Sequence, residues 1–315
     1  MTFFSPKSIL LIRNPVAGRR RRGLVDEVMR RVRAEGWTVD LVDTAAPGDA
    51  RRIAGTCDAR RYAVIAVAGG DGTINEVVNG LAGRPDAGPV PAPALAIVPL
   101  GTANVLAHEL GLRATAAMVA QTMIAGRELS MRPGEATCEA TGSGPPRHFS
   151  LMAGAGFDAK VVAGVSAPLK RRLGKAAYVW RSMVETRRYR PVRYTVEVDG
   201  VNYEVASVIV TRSRLYAGPY VLAPAAALGE PLLHICLFER WGRMQTLRFG
   251  LALLRGRLPV TGGYRVITGR DVKISVLSDA GESRAQPVQI DGDNALTLPV
   301  SIALAAGSVR ILQPA

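Results

Sequence analysis

Three times near its start, the chain carries an aliphatic run straight into a glycine-bearing turn and then into a helical pattern. The segments are IRNPVAGRRRR (Ile12–Arg22), AGGDGTINEVVNGL (Ala68–Leu81) and PLGTANVLAHEL (Pro99–Leu110). Strands are expected at Ile9–Ile12, Trp37–Val42, Tyr62–Ala68 and Leu95–Val98. Helices are expected near Leu24–Glu35, Asp49–Cys57, Thr73–Leu81 and Ala103–Leu110. Strands alternating with helices specify a parallel α/β sheet. All strand C-termini of such a sheet lie on one edge, so the three turns should converge on one crevice. Glycine lets backbone approach a ligand closely, and free N–H groups at a helix start attract anions. A di- or triphosphate fits that combination.

The turns differ from better-known phosphate loops. Gly69-Gly70-Asp71-Gly72-Thr73 has no lysine where a P-loop would carry one, and GxGxxG is absent from the first turn. A carboxylate beside phosphates repels them unless a cation or a proton lies between. Asp71 therefore points to Mg²⁺ handling or to proton removal from a nucleophile. The competing reading is that Asp71 merely caps the helix beginning at Thr73.

Beyond Arg132 the texture changes. Strand-like runs at Tyr194–Val198, Glu204–Thr211, Leu232–Phe238, Asp271–Val276 and Pro287–Ile290 are separated by Gly, Pro or Asp-Gly turns. That pattern predicts a mostly antiparallel β lobe. Two helices are expected within it, near Leu169–Arg187 and Arg243–Leu254.

Charge narrows the partners. Forty Lys and Arg face 26 Asp and Glu, a formal net of +14. A basic surface suits nucleic acid, anionic headgroups or a polyphosphate. Nucleic acid is the weakest of these, since aromatics make up only 5% and no recognition motif occurs. Cys57, Cys138 and Cys236 are far apart and odd in number, which favours a reducing cytosol over a disulfide framework. The histidines His108, His148 and His234 are equally scattered, so no zinc site is indicated. Neither a signal peptide nor a spanning segment is expected.

Gly69–Leu81, with Asn14-Pro15-Val16-Ala17-Gly18 before it and Gly101-Thr102-Ala103-Asn104 after it, resembles the diacylglycerol kinase catalytic-domain family. The similarity continues through Gly154–Ala159 and Tyr216-Ala217-Gly218 to Asp291-Gly292-Asp293, covering nearly the whole chain. GGDGT alone is shared with NAD kinases and phosphofructokinases. The longer GGDGTxNEVxNGL followed by GTxN is far more specific.

The resemblance implies an α/β N-terminal nucleotide-binding domain with a parallel sheet, and a mostly antiparallel β-sandwich-like C-terminal domain, with the cleft between them. The first would span 1–132 with a returning segment, 300–315; the second would span 133–299. The implied reaction moves the ATP γ-phosphoryl group to a lipid hydroxyl, with Mg²⁺ as cofactor. Nucleotide contacts would come from Asn14, Thr44, Gly69, Gly70, Asp71, Gly72, Thr73, Ile74, Asn75, Gly101, Thr102 and Asn104. Glu76 would help hold metal or phosphate, and Asp71 would reach metal through ATP-bound Mg²⁺. The acidic hairpin would supply the base, Asp293 aided by Asp291, with Asp71 as competitor.

Three departures from the family pattern stand out. Asp293 replaces a glutamate and is one methylene shorter. Asp-Gly is also the commonest hairpin turn pair, and Asp199-Gly200 reads as a turn alone. In relatives, acidic residues along the stretch matching Pro224–Ile235 (PAAALGEPLLHI) support a structural Mg²⁺; here Glu230 remains, Pro231 replaces a glycine and His234 stands where an aspartate is usual. No structural metal is assigned there, and His234 is read as a strand residue. Val105 takes a position where many relatives have Asp.

Diacylglycerol is the default acceptor, with a sphingoid base or ceramide as alternatives. A catalytically inactive nucleotide- and lipid-binding regulator is the reading from another class, and a soluble-nucleotide kinase acting on NAD is a third. The expected location is the cytoplasm, peripherally on the inner face of the membrane, and the assembly could include a homodimer. Leu169–Arg190 combines bases with Leu173, Tyr178, Val179 and Trp180 and could dock at an interface or pack on its own domain.

Overall fold

The computed structural model describes residues 7–18, 21–84, 90–139, 145–157, 159–160, 192–277 and 286–315. The chain divides into two compact units, Met1–Pro133 with Ala306–Ala315, and Gly134–Ala305.

In the first unit the order is β1 (Ser8–Arg13), α1 (Arg22–Ala34), β2 (Thr38–Asp43), α2 (Asp49–Thr56), β3 (Val64–Gly69), α3 (Asp71–Ala82), β4 (Ala94–Pro99), α4 (Val105–Glu109), α5 (Ala116–Ala125) and β5 (Arg127–Met131). The sheet runs β2-β1-β3-β4, then the C-terminal strand Val309–Gln313, then β5. The first five are parallel, and β5 runs antiparallel to the C-terminal strand. β3 and β4 are buried at every position, which is why VIAVAG and ALAIVP read as unbroken apolar runs. Side chains that are buried on both faces of such a strand leave no place for polar alternation.

Three expectations change here. α3 begins at Asp71 rather than Thr73. α4 is only five residues, because Asn104 sits in the left-handed region and delays its start. The return to the first unit begins at Ala306, not at residue 300: Val300–Leu304 pairs with β-strands of the second unit instead. β5 and α5 carry no expectation from the sequence, whereas the expected returning C-terminal segment supplies the strand Val309–Gln313.

The second unit is a β-sandwich. In chain order it contains β6 (Gly134–Cys138), β7 (Arg147–Phe149), β8 (Met152–Ala155), β9 (Tyr194–Val198), β10 (Val201–Val205), β11 (Ser207–Thr211), a small hairpin of β12 (Leu215–Tyr216) and β13 (Tyr220–Val221), β14 (Leu233–Phe238), α6 (Arg243–Leu254), β15 (Tyr264–Gly269), β16 (Val272–Val276), β17 (Pro287–Ile290), β18 (Asp293–Thr297) and β19 (Val300–Leu304). One sheet is β10-β9-β16-β19-β6-β7 and the other β15-β14-β11-β8-β17-β18, with antiparallel pairing throughout. A single apolar cluster takes Val196, Ile274, Val300 and Phe149 from the first sheet, and Val208, Ile235, Ala153 and Val288 from the second. Alternate side chains of facing sheets meeting in one layer is what makes a sandwich core.

The expected single strand Glu204–Thr211 is two strands. β10 belongs to one sheet and β11 to the other, with Ala206 between them. The helix expected at Leu169–Arg187, and the interface segment Leu169–Arg190, lie outside the described residues.

Candidate functional site

The exits of β1, β3 and β4 are tied together by backbone before any side chain acts. Asn14 N–H donates to Ala68 O at 2.9 Å, Leu100 N–H to Gly69 O at 3.0 Å and Thr44 N–H to Arg13 O at 2.9 Å. Four strand ends therefore open onto the same edge, and Thr44 lies on it at the end of β2.

Contacts between the turns are closer still. A Cβ on Gly101 would stand 2.6 Å from the Cα of Gly70, and one on Gly18 would meet the Cβ and carbonyl of Leu100 at 2.7 Å. Gly18 also has φ +58°, where a side chain is strained. Asn14 bridges the first turn to the second: its Oδ1 accepts from Val16 N–H at 3.1 Å and its Nδ2 donates to Thr73 Oγ1 at 3.0 Å. Arg21 donates from Nη1 to the carbonyl of Pro99 at 3.2 Å. The three turns meet.

Asp71 is the tie between the second and third turns. Its Oδ1 accepts from Leu106 N–H at 3.4 Å. Amides of Asn104, Val105 and Leu106 all stabilise its charged form, while burial opposes them and raises its pKa on balance. So Asp71 does cap a helix, but it caps α4 across the turn rather than the helix that contains it. Asn104 itself adopts φ +48° and donates from Nδ2 to Gly101 O at 2.9 Å, while its Oδ1 is buried against Gly101 without a hydrogen-bond partner.

The start of α3 has no side-chain cap at Gly70. The first amides of a helix have no intrahelical acceptor, and they carry the positive end of its dipole. With Gly69, Gly70, Gly72 and Thr73 there and Gly101 and Thr102 facing them, the edge offers backbone donors to an anion.

Two of the residues expected at the nucleotide have side chains engaged within the fold. Ile74 is wholly buried in the core of the sheet. Glu76 is spent on α2: its Oε1 accepts from Gly48 N–H at 2.9 Å and its Oε2 from Ala50 N–H at 3.2 Å. In this structure Glu76 therefore caps the start of α2. Asn75 is tied through its carbonyl to the side chain of Asn79 one turn on, at 2.9 Å.

In the second unit, Asp291-Gly292 is the two-residue turn joining β17 to β18. Both residues have positive φ, +46° and +83°, the pattern of a type I′ hairpin. Asp199-Gly200 makes the same turn, with φ +49° and +84°. Their carboxylates differ. Asp199 is exposed and accepts from the amides of Arg270 and Asp271. Asp291 is buried, and takes Ser150 N–H at 2.8 Å, Ser150 Oγ–H at 2.9 Å, Leu151 N–H at 3.0 Å and Met152 N–H at 2.8 Å. Through these four donors Asp291 positions the chain entering β8. Asp293, first residue of β18, is exposed.

Sequence reasoning missed Ser150 and Arg212. Arg212 is fully buried and donates to the carbonyls of Leu228, at 2.6 Å, and Leu232. This internal cation ties the stretch from Leu228 to Leu232 to the end of β11. His234 lies buried in β14, with burial lowering its pKa. Among the described residues, no group of three or more His, Cys, Asp or Glu could hold a metal ion.

Two measurements test this geometry. Gly101→Ala should force the second and third turns apart and weaken ATP binding ~10-fold or more by calorimetric titration. For Asp291, burial pushes the carboxyl up to about 6, above its ordinary 3.8. The folded state therefore binds more protons than the unfolded chain between those values. The proton-linked part of its contribution to stability is full below about pH 4 and is lost as pH rises through about 6. Asp291→Asn should flatten that part of the pH–stability curve in urea unfolding. At pH 7 it should cost about 1–3 kcal/mol, since one amide cannot satisfy four donors.

Residues 8–136 match the family model described as diacylglycerol kinase catalytic domain, and residues 152–313 match the YegS C-terminal NAD kinase β-sandwich-like domain. The chain is 27% identical to the diacylglycerol kinase of Bacillus subtilis over 314 residues, 98% of this chain and 97% of that one. A solved diacylglycerol kinase from Bacillus anthracis superposes with a TM-score of 0.74 at 22% identity, over 98% of this chain and 97% of its own. Yeast NADH kinase shares the fold more distantly, with a TM-score of 0.52 at 11% identity over 99% of this chain and 84% of the other. The glycine turns on one sheet edge, followed by the sandwich, are thus those of a kinase, and the chain belongs to the family that joins a diacylglycerol kinase catalytic domain to a YegS C-terminal NAD kinase β-sandwich-like domain.

Proposed function

We propose that this protein transfers the γ-phosphoryl group of ATP to the hydroxyl of a membrane lipid, with diacylglycerol the acceptor and phosphatidic acid the product. The observation that carries the reading is the convergence of the three glycine turns, with Gly70 against Gly101 and the uncapped start of α3 beside them. Backbone amides and Arg21 would hold the triphosphate, and Asp71 would keep two of the turns in register. Mg²⁺ would arrive on the phosphates and neutralise charge there, with the chain's own groups orienting the nucleotide.

The lipid hydroxyl would attack the γ-phosphorus in line, its proton passing to a carboxylate as the bond to the β-phosphate oxygen breaks and ADP leaves. Asp293 is the carboxylate assigned to that step. Asp293 opens β18 directly after the Asp291-Gly292 turn, is exposed there, and holds the position where the resembling family carries its base.

The test is transfer of radiolabelled γ-phosphate to vesicles holding diacylglycerol, a sphingoid base or ceramide, with NAD offered separately in solution. Label on diacylglycerol is expected. Asp293→Asn should lower kcat about 10²-fold with little change in ATP binding, and Asp71→Asn should weaken ATP binding itself. Label on another acceptor reassigns the substrate. Nucleotide and lipid binding without transfer to any acceptor makes the protein a regulator.

A further inference from the structure

α6 packs by one face only. Phe249 is buried, its ring edge-on to Phe238 at 5.3 Å between centroids, and Phe238 stacks in turn on Tyr264 at 5.0 Å. The opposite face is apolar and open. Met244 is 76% exposed, Leu247 50%, Leu251 41% and Leu254 59%. These positions follow i, i+3, i+7, i+10, which at 3.6 residues per turn gathers them into roughly 80° of arc. Val260, just beyond the helix, is 85% exposed. A continuous exposed apolar stripe on one helix is not ordinary surface.

What flanks the stripe identifies its occupant. Helical geometry sets Arg243 on one side of the row, with Arg248 and, one residue past the helix, Arg255 on the other; all three are exposed. Arg240 precedes the helix and Arg257 follows it. Over 239–260 the sole acidic residue is Glu239, whose carboxylate is paired with Arg265 at 2.6 Å. Apolar side chains along the middle and guanidinium groups along both margins match a bilayer surface, where alkyl groups enter the acyl boundary and cations meet anionic headgroups. No helix among the described residues is long and apolar enough to cross a membrane, so contact through these helices would be made from the surface.

We infer that the outer face of α6 is the surface by which this protein docks on anionic membranes. The choice of a bilayer as occupant rests on the lipid-kinase reading above. Docking and transfer are nonetheless separable in experiment.

The full chain is mixed with vesicles of phosphatidylcholine alone, or with a quarter phosphatidylglycerol, and bound protein is measured by flotation at low and high salt. Wild type should float with the anionic vesicles and be released by salt. Leu247→Asp with Leu251→Asp should reduce binding at least tenfold, and Arg243→Ser with Arg248→Ser should remove the preference for phosphatidylglycerol. Unchanged melting temperatures, expected for exposed positions, establish that the variants fold. Phosphoryl transfer to diacylglycerol in vesicles should fall with binding, while transfer to a short-chain diacylglycerol in detergent micelles stays within about twofold.

Undiminished flotation of the Leu247/Leu251 variant overturns the inference. So does a dimer in lipid-free solution that the same variant splits, since the face would then belong to a second copy. Lost flotation with no transfer to either acceptor in wild type leaves the docking surface standing and removes the lipid-kinase reading instead.

Discussion

The first unit depends on a short-range constraint: two glycine backbones, at Gly70 and Gly101, lie closer than any side chain would permit. That approach brings the start of α4 within reach of the Asp71 carboxylate, whose charge is then shared among amides instead of solvent. Burial works against the ion and the amides work for it. The balance leaves a carboxylate whose first task is to hold two loops. An anion arriving at this edge would meet donors whose positions are already set, so little ordering would be required on binding.

Capping recurs as the means by which acidic residues shape this chain. Asp71 serves α4, Glu76 serves α2, and Asp291 gathers three consecutive amides ahead of β8. Each lies within a motif that resembles catalytic machinery, and in each the carboxylate accepts from backbone N–H groups, joined at Asp291 by the Ser150 hydroxyl. Acidic residues within these motifs thus help to build the turns.

The parallel sheet was the most legible part of the fold. VIAVAG and ALAIVP are apolar throughout; the first runs straight into Gly70 and the second reaches Gly101 after one leucine, so both strand and turn are written locally. The sandwich was harder. Glu204–Thr211 reads as one strand because Ala206, where the chain changes sheets, carries no turn signal. β5 is largely exposed, which obscures its pattern. At the site, the convergence of turns followed from topology. The diversion of Glu76 did not, because its partners Gly48 and Ala50 are distant in sequence and contribute only amides. Arg212 was equally hidden: nothing local distinguishes a buried arginine that binds carbonyls from an exposed one.

The strand Val309–Gln313 sits between β4 and β5, so the first sheet takes an interior strand from a segment translated after the whole second unit. The edges of β4 and β5 that face this strand can take their native partner only once the C-terminal segment has been made. A late frameshift or premature stop would thus damage the nucleotide-binding half of the protein, though the lesion maps to its opposite end.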